Sequence, residues 1–189
     1  MKARRAEAIR EQIEAAFDGQ APLTVGIEEE LMLLEPSTLD LAPKARQVLD
    51  LLEGDARFKP ELPAAQIELV TAPGSSVGEA AASLAEGRRA LSAAAAGVAR
   101  PAAAGVHPFA AVEGVLDGGD QYRLTREEHG PVARLQLVFG LHVHVRVAGC
   151  ARALAVYNAL RSYLPELAGL GANAPFYGGR DTGLASIRP

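Results

Sequence analysis

Three consecutive glutamates inside an alternating apolar stretch constrain the fold of this chain more than any other feature. The stretch reads Thr24-Val-Gly-Ile-Glu-Glu-Glu-Leu-Met-Leu-Leu34 and has the pattern of a β-strand. Because successive side chains of a strand point to opposite faces, Glu28 and Glu30 share one face, while Glu29 falls among apolar side chains on the other. An apolar strand rarely places two carboxylates together without a cation that neutralises them, so the pair predicts a divalent metal site. The alternative is that both glutamates line a solvent-facing side of the sheet.

A second strand-like segment carries further candidate ligands. Glu68 lies within Gln66-Ile-Glu-Leu-Val-Thr71, and Glu61, seven residues earlier, could join it across a turn at Pro63. Carboxylates clustered on neighbouring strands supply the oxygen ligands that Mg2+ takes in metal and nucleotide sites. The sequence therefore extends the predicted metal site to a second strand.

A His-x-His pair lies on a third strand-like segment, Leu137–Val147. His142 and His144 share a face, where they could ligate a metal or donate a hydrogen bond to a phosphate. Val143 and Val145 occupy the other face and are expected to pack beneath helices on the outer side of the sheet. A His-x-His pair also occurs as a satisfied polar group in a core, and the residues leave both interpretations open.

Helical periodicity and helix-terminal residues predict helices at residues 2–17, 43–54, 76–99 and 151–164. The first helix ends at Asp18-Gly19 and is expected to pack through its apolar stripe. The third begins at Ser76 and Glu79, which have the spacing of a capping box. The remaining segments are predicted as a strand at 102–106, a surface loop at 110–130 and an extended loop from Pro165 onward.

Composition indicates one globular domain or one half of a larger one. The chain has 189 residues, 49% of them hydrophobic, and a net charge of -4, which gives enough core to fold and no attraction to nucleic acid. A single cysteine, Cys150, and a start without the apolar core of a signal peptide indicate a cytoplasmic protein. No apolar run is long enough to span a bilayer, so no membrane partner is expected.

Six short blocks of sequence, taken in order, resemble one family of enzymes. The blocks are Val25-Gly-Ile-Glu-Glu-Glu-Leu31, Glu68-Leu-Val-Thr71, Gly140-Leu-His-Val-His-Val145, Arg161-Ser-Tyr-Leu-Pro165, Asn173-Ala-Pro-Phe176 and Gly179-Arg-Asp-Thr-Gly-Leu-Ala-Ser-Ile-Arg188. Their order is similar to that of the second glutamate–cysteine ligase family, the bacterial carboxylate-amine ligases. Six blocks in the right order are far more specific than any one of them.

The resemblance implies an α+β fold like that of glutamine synthetase, in which helices cover the outer face of a curved antiparallel sheet. It also implies that ATP phosphorylates the side-chain carboxylate of glutamate, and that an amine such as that of cysteine then displaces phosphate to form a γ-glutamyl amide. The implied cofactors are ATP and Mg2+ or Mn2+. Clustered glutamates agree with this chemistry, because phosphoryl transfer depends on positioning and charge neutralisation.

The resemblance also implies roles for individual side chains. The implied metal ligands are Glu28, Glu30, Glu61, Glu68 and His142. The implied ATP contacts are His142, His144 and Arg188. The implied contact to the amino-acid substrate is Asn173.

Members of this family are much longer than 189 residues, so residues 1–189 are expected to be the N-terminal part of a single catalytic domain. A sheet without its remaining strands exposes an unpaired edge or an apolar face. This predicts that a second copy of the chain, in a homo-oligomer, or a missing C-terminal half covers it. The isolated chain is expected to be inactive as a ligase. A second hypothesis is a non-catalytic metal- or nucleotide-binding or interaction protein that keeps the same fold.

Overall fold

A computed structural model describes residues 2–18 and 23–188 as an α+β protein. Its strands are β1 (Val25–Leu34), β2 (Phe58–Pro60), β3 (Gln66–Val70), β4 (Arg100–Ala102), β5 (Leu141–Val145), β6 (Phe176–Tyr177) and β7 (Arg180–Asp181). Its α-helices are α1 (Lys2–Asp18), α2 (Ala45–Leu51), α3 (Val77–Ala94), α4 (Arg123–His129), α5 (Cys150–Leu160) and α6 (Leu164–Gly171). Short 3-10 helices cover Asp120–Tyr122, Gly130–Leu135 and Arg161–Tyr163. Within the described part of the chain, no helix is both long and apolar enough to cross a membrane.

Strand β1 lies at the centre of a five-stranded antiparallel sheet. One edge of β1 pairs with β3, which in turn pairs with β2. The other edge is divided, since β5 pairs with the segment from Val25 to Glu29 and β4 with the segment from Met32 to Leu34. The strands on the two sides of the described sheet are therefore connected through β1. Strands β6 and β7 form a separate two-stranded unit.

The buried face of β1 packs against α3. Burial alternates along the strand as the sequence predicts, and the buried positions in its first seven residues are Val25, Ile27, Glu29 and Leu31. Helix α3 contacts both β1 and β3. The main core lies between these elements and α2, and its fully buried large side chains include Leu33, Ile67, Leu69 and Leu91. On the opposite face of β1, Gly26, Glu28 and Glu30 are only partly buried, while Met32 further along is buried.

Helix α3 begins at the predicted cap and approaches β3 closely at one glycine. The Ser76 hydroxyl oxygen accepts a hydrogen bond from the backbone N–H of Glu79 at 3.2 Å, so the predicted N-cap is confirmed. The Glu79 carboxylate accepts from the backbone N–H of Ser75 at 2.8 Å, one residue before the cap. Further along the helix, a Cβ added at Gly87 would lie 2.6 Å from Cδ1 of the buried Leu69. The absence of a side chain at Gly87 therefore sets the distance between α3 and the sheet.

The buried carboxylate of Glu29 is neutralised by an arginine of α3. Arg88 donates to both carboxylate oxygens, with Nε 2.7 Å from Oε2 and Nη2 in closer contact with Oε1. The Glu29 side chain is 5% exposed and that of Arg88 is 48% exposed, so the guanidinium brings a partly hydrated charge to a buried anion. The ion pair allows a glutamate to occupy the apolar face of β1 at a tolerable cost.

Several predicted elements differ from the structure. The strand predicted at 102–106 is found at Arg100–Ala102, and β5 is shorter than the predicted segment Leu137–Val147. The loop predicted at 110–130 contains α4. The extended loop predicted from Pro165 onward is wrong over its first part, because α6 places that proline in its first turn, where the missing N–H has no helical partner.

Two packing expectations are also wrong. Val143 and Val145 were expected beneath outer helices, but they are 60% and 52% exposed. Helix α1 forms as predicted, yet Ile9 and Ile13 on its apolar stripe are about half exposed. Gly19, predicted to end that helix, lies outside the described residues. Secondary structure thus follows the sequence pattern in both places, while burial does not.

We expect Gly87→Ala to destabilise the chain by about 1–3 kcal/mol, because the new methyl group overlaps the side chain of the fully buried Leu69. The matched control is Gly78→Ala in the same helix, where the nearest atom to an added Cβ is Ser76 Oγ at 3.9 Å. The control should be neutral or stabilising by up to about 1 kcal/mol, since alanine favours helix. Urea unfolding of both variants measures the difference, and equal effects would contradict the close approach.

We expect Arg88→Ala to lower the free energy of unfolding by about 2–3 kcal/mol, since it leaves a buried carboxylate without its counter-charge. The half-exposed guanidinium keeps the loss below that of a fully buried pair. Arg89→Ala, at an exposed neighbouring position of α3, is the control and should change stability by no more than about 0.5 kcal/mol. Adding Glu29→Gln to Arg88→Ala should recover part of the loss. If the double variant recovers no stability, the broken Glu29–Arg88 ion pair is not the cause of the destabilisation.

Candidate functional site

Cross-strand register places the predicted ligands on one face of the sheet. Glu28 lies opposite His142 on β5, and Glu30 lies opposite Glu68 on β3. Directly opposed residues in an antiparallel pair project to the same side. His144 is opposite Gly26, two residues before Glu28, and so shares this side too. We call this the acidic face.

On the acidic face, Glu28 and the two histidines form a compact cluster. Glu28 Oε2 lies 3.5 Å from His142 Nδ1 and 3.2 Å from His144 Nε2. One ligand atom from each residue falls within 4.8 Å of the others, and no other such group of three is found among the described residues. Gly26 lies opposite His144, and a Cβ added there would lie 4.0 Å from His144 Cβ. One carboxylate and two imidazoles form a mixed nitrogen and oxygen donor set, which suits Mn2+ and other transition ions better than Mg2+.

The other glutamates form a second, looser group. Burial raises the pKa of the Glu61 carboxyl, and the negative charges of Glu68 and Glu30 raise it further. Lys59 Nζ lies 3.4 Å from Glu68 Oε2 and supplies partial compensation. The carboxylates of Glu30, Glu61 and Glu68 offer an all-oxygen donor set, which a hard cation such as Mg2+ would neutralise. The structure thus separates the predicted ligands into two groups.

The backbone at the start of β5 fixes the carboxylate of Glu30. The N–H of Gly140 donates to Glu30 Oε2 at 2.6 Å, and the N–H of Glu30 donates to the carbonyl oxygen of Gly140 at 2.9 Å. A Cβ at Gly140 would lie 3.1 Å from His142 Nε2 and 3.3 Å from that same carboxylate oxygen. Gly140 therefore permits a close approach between β1 and the histidine strand.

The segment carrying Glu61 is held by a buried aspartate that the sequence did not single out. The N–H of Asp117 donates to the carbonyl of Leu62 at 2.8 Å, next to Glu61. Arg46 of α2 donates to both oxygens of Asp117, at 2.8 and 2.6 Å, and this pairing lowers the pKa of the aspartate. The Asp117 side chain is almost fully buried. A sequence that reads as a turn, Asp117-Gly-Gly-Asp120, gave no signal that its first residue is buried.

Tyr122 is a second residue near Glu61 that sequence reasoning missed. Its hydroxyl donates to the carbonyl of Pro60 at 2.6 Å. Burial, together with the negative charge of Glu61, raises the pKa of Tyr122 to about 12. The tyrosine thus stays protonated beside the carboxylate group and fixes the backbone that precedes it.

A cleft of about 640 Å3 opens beside the acidic face and brings together four of the predicted site residues. They are Glu30, His142, Asn173 and Arg188, and α6 supplies the wall that contains Leu167 and Leu170. Glu28, Glu61, Glu68 and His144 do not line it. The cleft follows the part of β1 that lies between its pairings with β4 and β5.

Arg188 is held in the cleft by backbone contacts, and Asn173 lies close to Gly105. Arg188 Nη1 donates to the carbonyl of Phe139 at 2.8 Å and to that of Gly105 at 3.5 Å. A Cβ at Gly105 would lie 2.7 Å from Asn173 Oδ1, so only glycine leaves room for the amide there. The cleft therefore combines a carboxylate, an imidazole, an amide and a guanidinium in one place, a set that can bind a charged ligand.

We expect the Glu28 cluster to bind Mn2+ and Glu28→Gln to weaken that binding at least about tenfold, because the change removes the one anionic ligand of the cluster. His144→Ala should have an effect of similar size. Glu128→Gln and His129→Ala, at exposed positions of α4, are matched controls and should leave the affinity unchanged. Electron paramagnetic resonance of free Mn2+ measures each dissociation constant. Equal affinities for all four variants would place the bound ion elsewhere.

Comparison with known proteins identifies the family. A model of glutamate-cysteine ligase family 2 matches residues 24–189. A protein of Rubrobacter xylanophilus named "Putative glutamate--cysteine ligase 2-3" is 41% identical over 181 residues, which are 93% of this chain and 50% of that protein. One of Sorangium cellulosum, "Putative glutamate--cysteine ligase 2", is 38% identical over 93% of this chain and 48% of its own length. The chain thus spans about half the length of these curated relatives, and it belongs to glutamate-cysteine ligase family 2.

Proposed function

We propose that the chain is part of an ATP-dependent carboxylate-amine ligase that joins glutamate to an amine such as cysteine through an acyl phosphate. The observation that carries the proposal is the acidic face, where the Glu28 cluster lies beside a second group of carboxylates and the cleft. Family membership supports a glutamate–cysteine ligase type of activity. A candidate cation site and a second group of carboxylates beside a polar cleft suit phosphoryl transfer, which depends on positioning and charge neutralisation.

We also propose a glutamine synthetase-like fold, in which residues 1–189 form the N-terminal part of one catalytic domain. Support comes from the central antiparallel sheet, whose two faces differ in chemistry. One face of β1 is packed against α3, and the other carries Glu28 and Glu30. A ligand bound on the charged face would lie across several strands rather than at their ends.

In the proposed mechanism, each group of residues has one task. Glu28, His142 and His144 would hold one cation, and Glu30, Glu61 and Glu68 would hold a second. When bound, Mg2+ or Mn2+ supplies charge neutralisation for the transferred phosphoryl group. Arg188 would bind a phosphate of ATP through the guanidinium donors that its two backbone contacts leave free, and Asn173 would orient the amino-acid substrate.

The proposed reaction has two steps, a phosphoryl transfer and an attack by the amine. An oxygen of the γ-carboxylate of glutamate attacks the γ-phosphorus of ATP, the bond to the bridging oxygen breaks, and ADP leaves. The amine nitrogen then attacks the acyl phosphate carbon, phosphate leaves with the bonding electron pair, and the amine loses a proton. Among the described residues, none is placed as a nucleophile in this scheme, so the chain's role is to bind, orient and neutralise charge.

We expect the 189-residue chain to bind ATP in the presence of Mn2+ but to release no phosphate with glutamate and cysteine present. The physical reason is that the cleft is open beside β5 and α6, whose side chains are exposed, so water is not excluded from the reacting groups. Isothermal titration measures binding, and a phosphate assay measures turnover. Glu28→Gln should weaken nucleotide binding, whereas Glu128→Gln should not.

Two outcomes would contradict this expectation of binding without turnover, each in a different way. Glutamate-dependent phosphate release that Glu28→Gln abolishes would show that this chain suffices for catalysis. Absence of nucleotide binding with Mn2+ present would favour the second candidate, a non-catalytic interaction protein of the same fold. That candidate is favoured by one observation, the large exposed apolar surface of β5, α5 and α6.

A further inference from the structure

Gln66, the first residue of β3, carries a buried side-chain oxygen that no other described group contacts through a hydrogen bond. The residue is only 3% exposed. Its Oε1 atom is buried and has no hydrogen-bond partner among the described residues. Buried polar atoms nearly always have a partner, and an atom without one marks strain, a functional role, or the place of a bound ion or water. The oxygen of Gln66 therefore indicates a ligand.

Strand register directs this oxygen to the acidic face. Gln66 lies opposite Met32 on β1. Glu68 follows two residues later and lies opposite Glu30. Because residues two apart on a strand share a face, Gln66 projects to the same side as these two carboxylates. Ile67 between them is fully buried in the core on the opposite side.

The third carboxylate of the second group approaches Gln66 from β2. Pro60 is paired with Ile67, so Glu61 and Gln66 are the next residues on the two strands beyond that pair. The connection between them consists of residues 62–65 alone. Gln66 thus has one glutamate beside it on β2, another along its own strand, and Glu30 diagonally across on β1, all within reach of a long side chain.

The backbone donors of this connection are already used. The N–H of Leu62 donates to Glu61 Oε2 at 3.3 Å. The N–H of Ala64 donates to the carbonyl oxygen of Val115 at 2.8 Å. The carboxylates around Gln66 are acceptors when ionised, so they cannot satisfy another acceptor. A cation can contact its oxygen and the carboxylates together, and a side-chain amide oxygen is a common ligand of hard cations.

We propose that the side-chain carbonyl oxygen of Gln66 is a neutral fourth ligand of the cation that Glu30, Glu61 and Glu68 hold. The inference rests on the second cation of the proposed function and adds a residue to its coordination. A neutral oxygen contributes a ligand without the repulsion that a fourth carboxylate would bring. It also gives a physical reason for an unpaired amide at a buried position, since cation binding supplies the partner that folding alone does not.

Cation binding and thermal stability test the proposal without ATP, substrate or turnover. Every sample is the 189-residue chain with Glu28→Gln and His144→Ala, so that the Glu28 cluster does not contribute to binding. Gln66→Met replaces the amide with an unbranched apolar side chain of similar size. Gln47→Met, at an exposed position of α2, is the matched control. Electron paramagnetic resonance follows free Mn2+, which Mg2+ then displaces.

We expect Gln66→Met to weaken Mn2+ binding at least about tenfold, because it removes one ligand. In EDTA the same change should raise the Tm by about 2–4 °C, since it removes a buried acceptor that lacks a partner. The control should alter neither quantity. Opposite changes in binding and stability distinguish a ligand from a residue that only supports the fold.

Gln66→Glu is the second variant and decides the question if Gln66→Met does not fold. It places a charged oxygen at the same position, so the Tm in EDTA should fall while Mn2+ binds at least as tightly as in the parent. Weaker binding by this variant would overturn the proposal.

The remaining outcomes separate this inference from the proposed function. If Glu68→Gln weakens Mn2+ binding and Gln66→Met does not, the carboxylates hold the cation without Gln66 and only the present inference fails. If neither change affects binding, the second cation of the proposed function fails with it. A lower Tm of Gln66→Met in EDTA would assign Gln66 a partner within the folded chain and would also overturn the inference.

Discussion

The orientation of β1 is the constraint on which the rest of the structure depends. A shift of one residue in its pairing would exchange its two faces and bury Glu28 and Glu30. Apolar residues at every second position prevent this shift, and Arg88 makes the remaining glutamate acceptable on the buried side. The acidic face thus exists because the three consecutive glutamates have unequal surroundings, one with an arginine from α3 and two without.

The sequence predicts the parts of the fold that follow from local periodicity. The alternation of β1, the His-x-His strand and the cap of α3 at Ser76 are properties of neighbouring residues, and the structure contains all three. The candidate site is partly predictable for the same reason, because parity alone places Glu28 with Glu30 and His142 with His144. Parity does not predict the distances between the ligands. The separation of the ligands into two groups depends on strand register, which is a long-range property.

The failures of prediction also have physical causes. Proline normally interrupts a helix, yet Pro165 is accepted in the first turn of α6. The residue predicted to end the helical pattern therefore lies where a new helix begins. Tyr122 and Asp117 lie in a segment rich in turn residues, and their burial depends on contacts with Pro60 and Arg46 far away in sequence. The exposure of Val143 depends on which elements cover it, which the alternation of a single strand does not specify.

The single connection through β1 has a consequence for how the chain opens. Strands β2 and β3 share a buried core with α2 and α3, whereas β5 is attached to the sheet through the segment Val25–Glu29 and contributes no buried residue. Local opening is easiest where few apolar contacts are lost, so amide hydrogens of β5 would exchange with solvent well before those of β3. The Glu28 cluster then spans a boundary in local stability. Its carboxylate belongs to β1, at the centre of the sheet, whereas its two imidazoles belong to β5, the edge strand whose amide hydrogens exchange early.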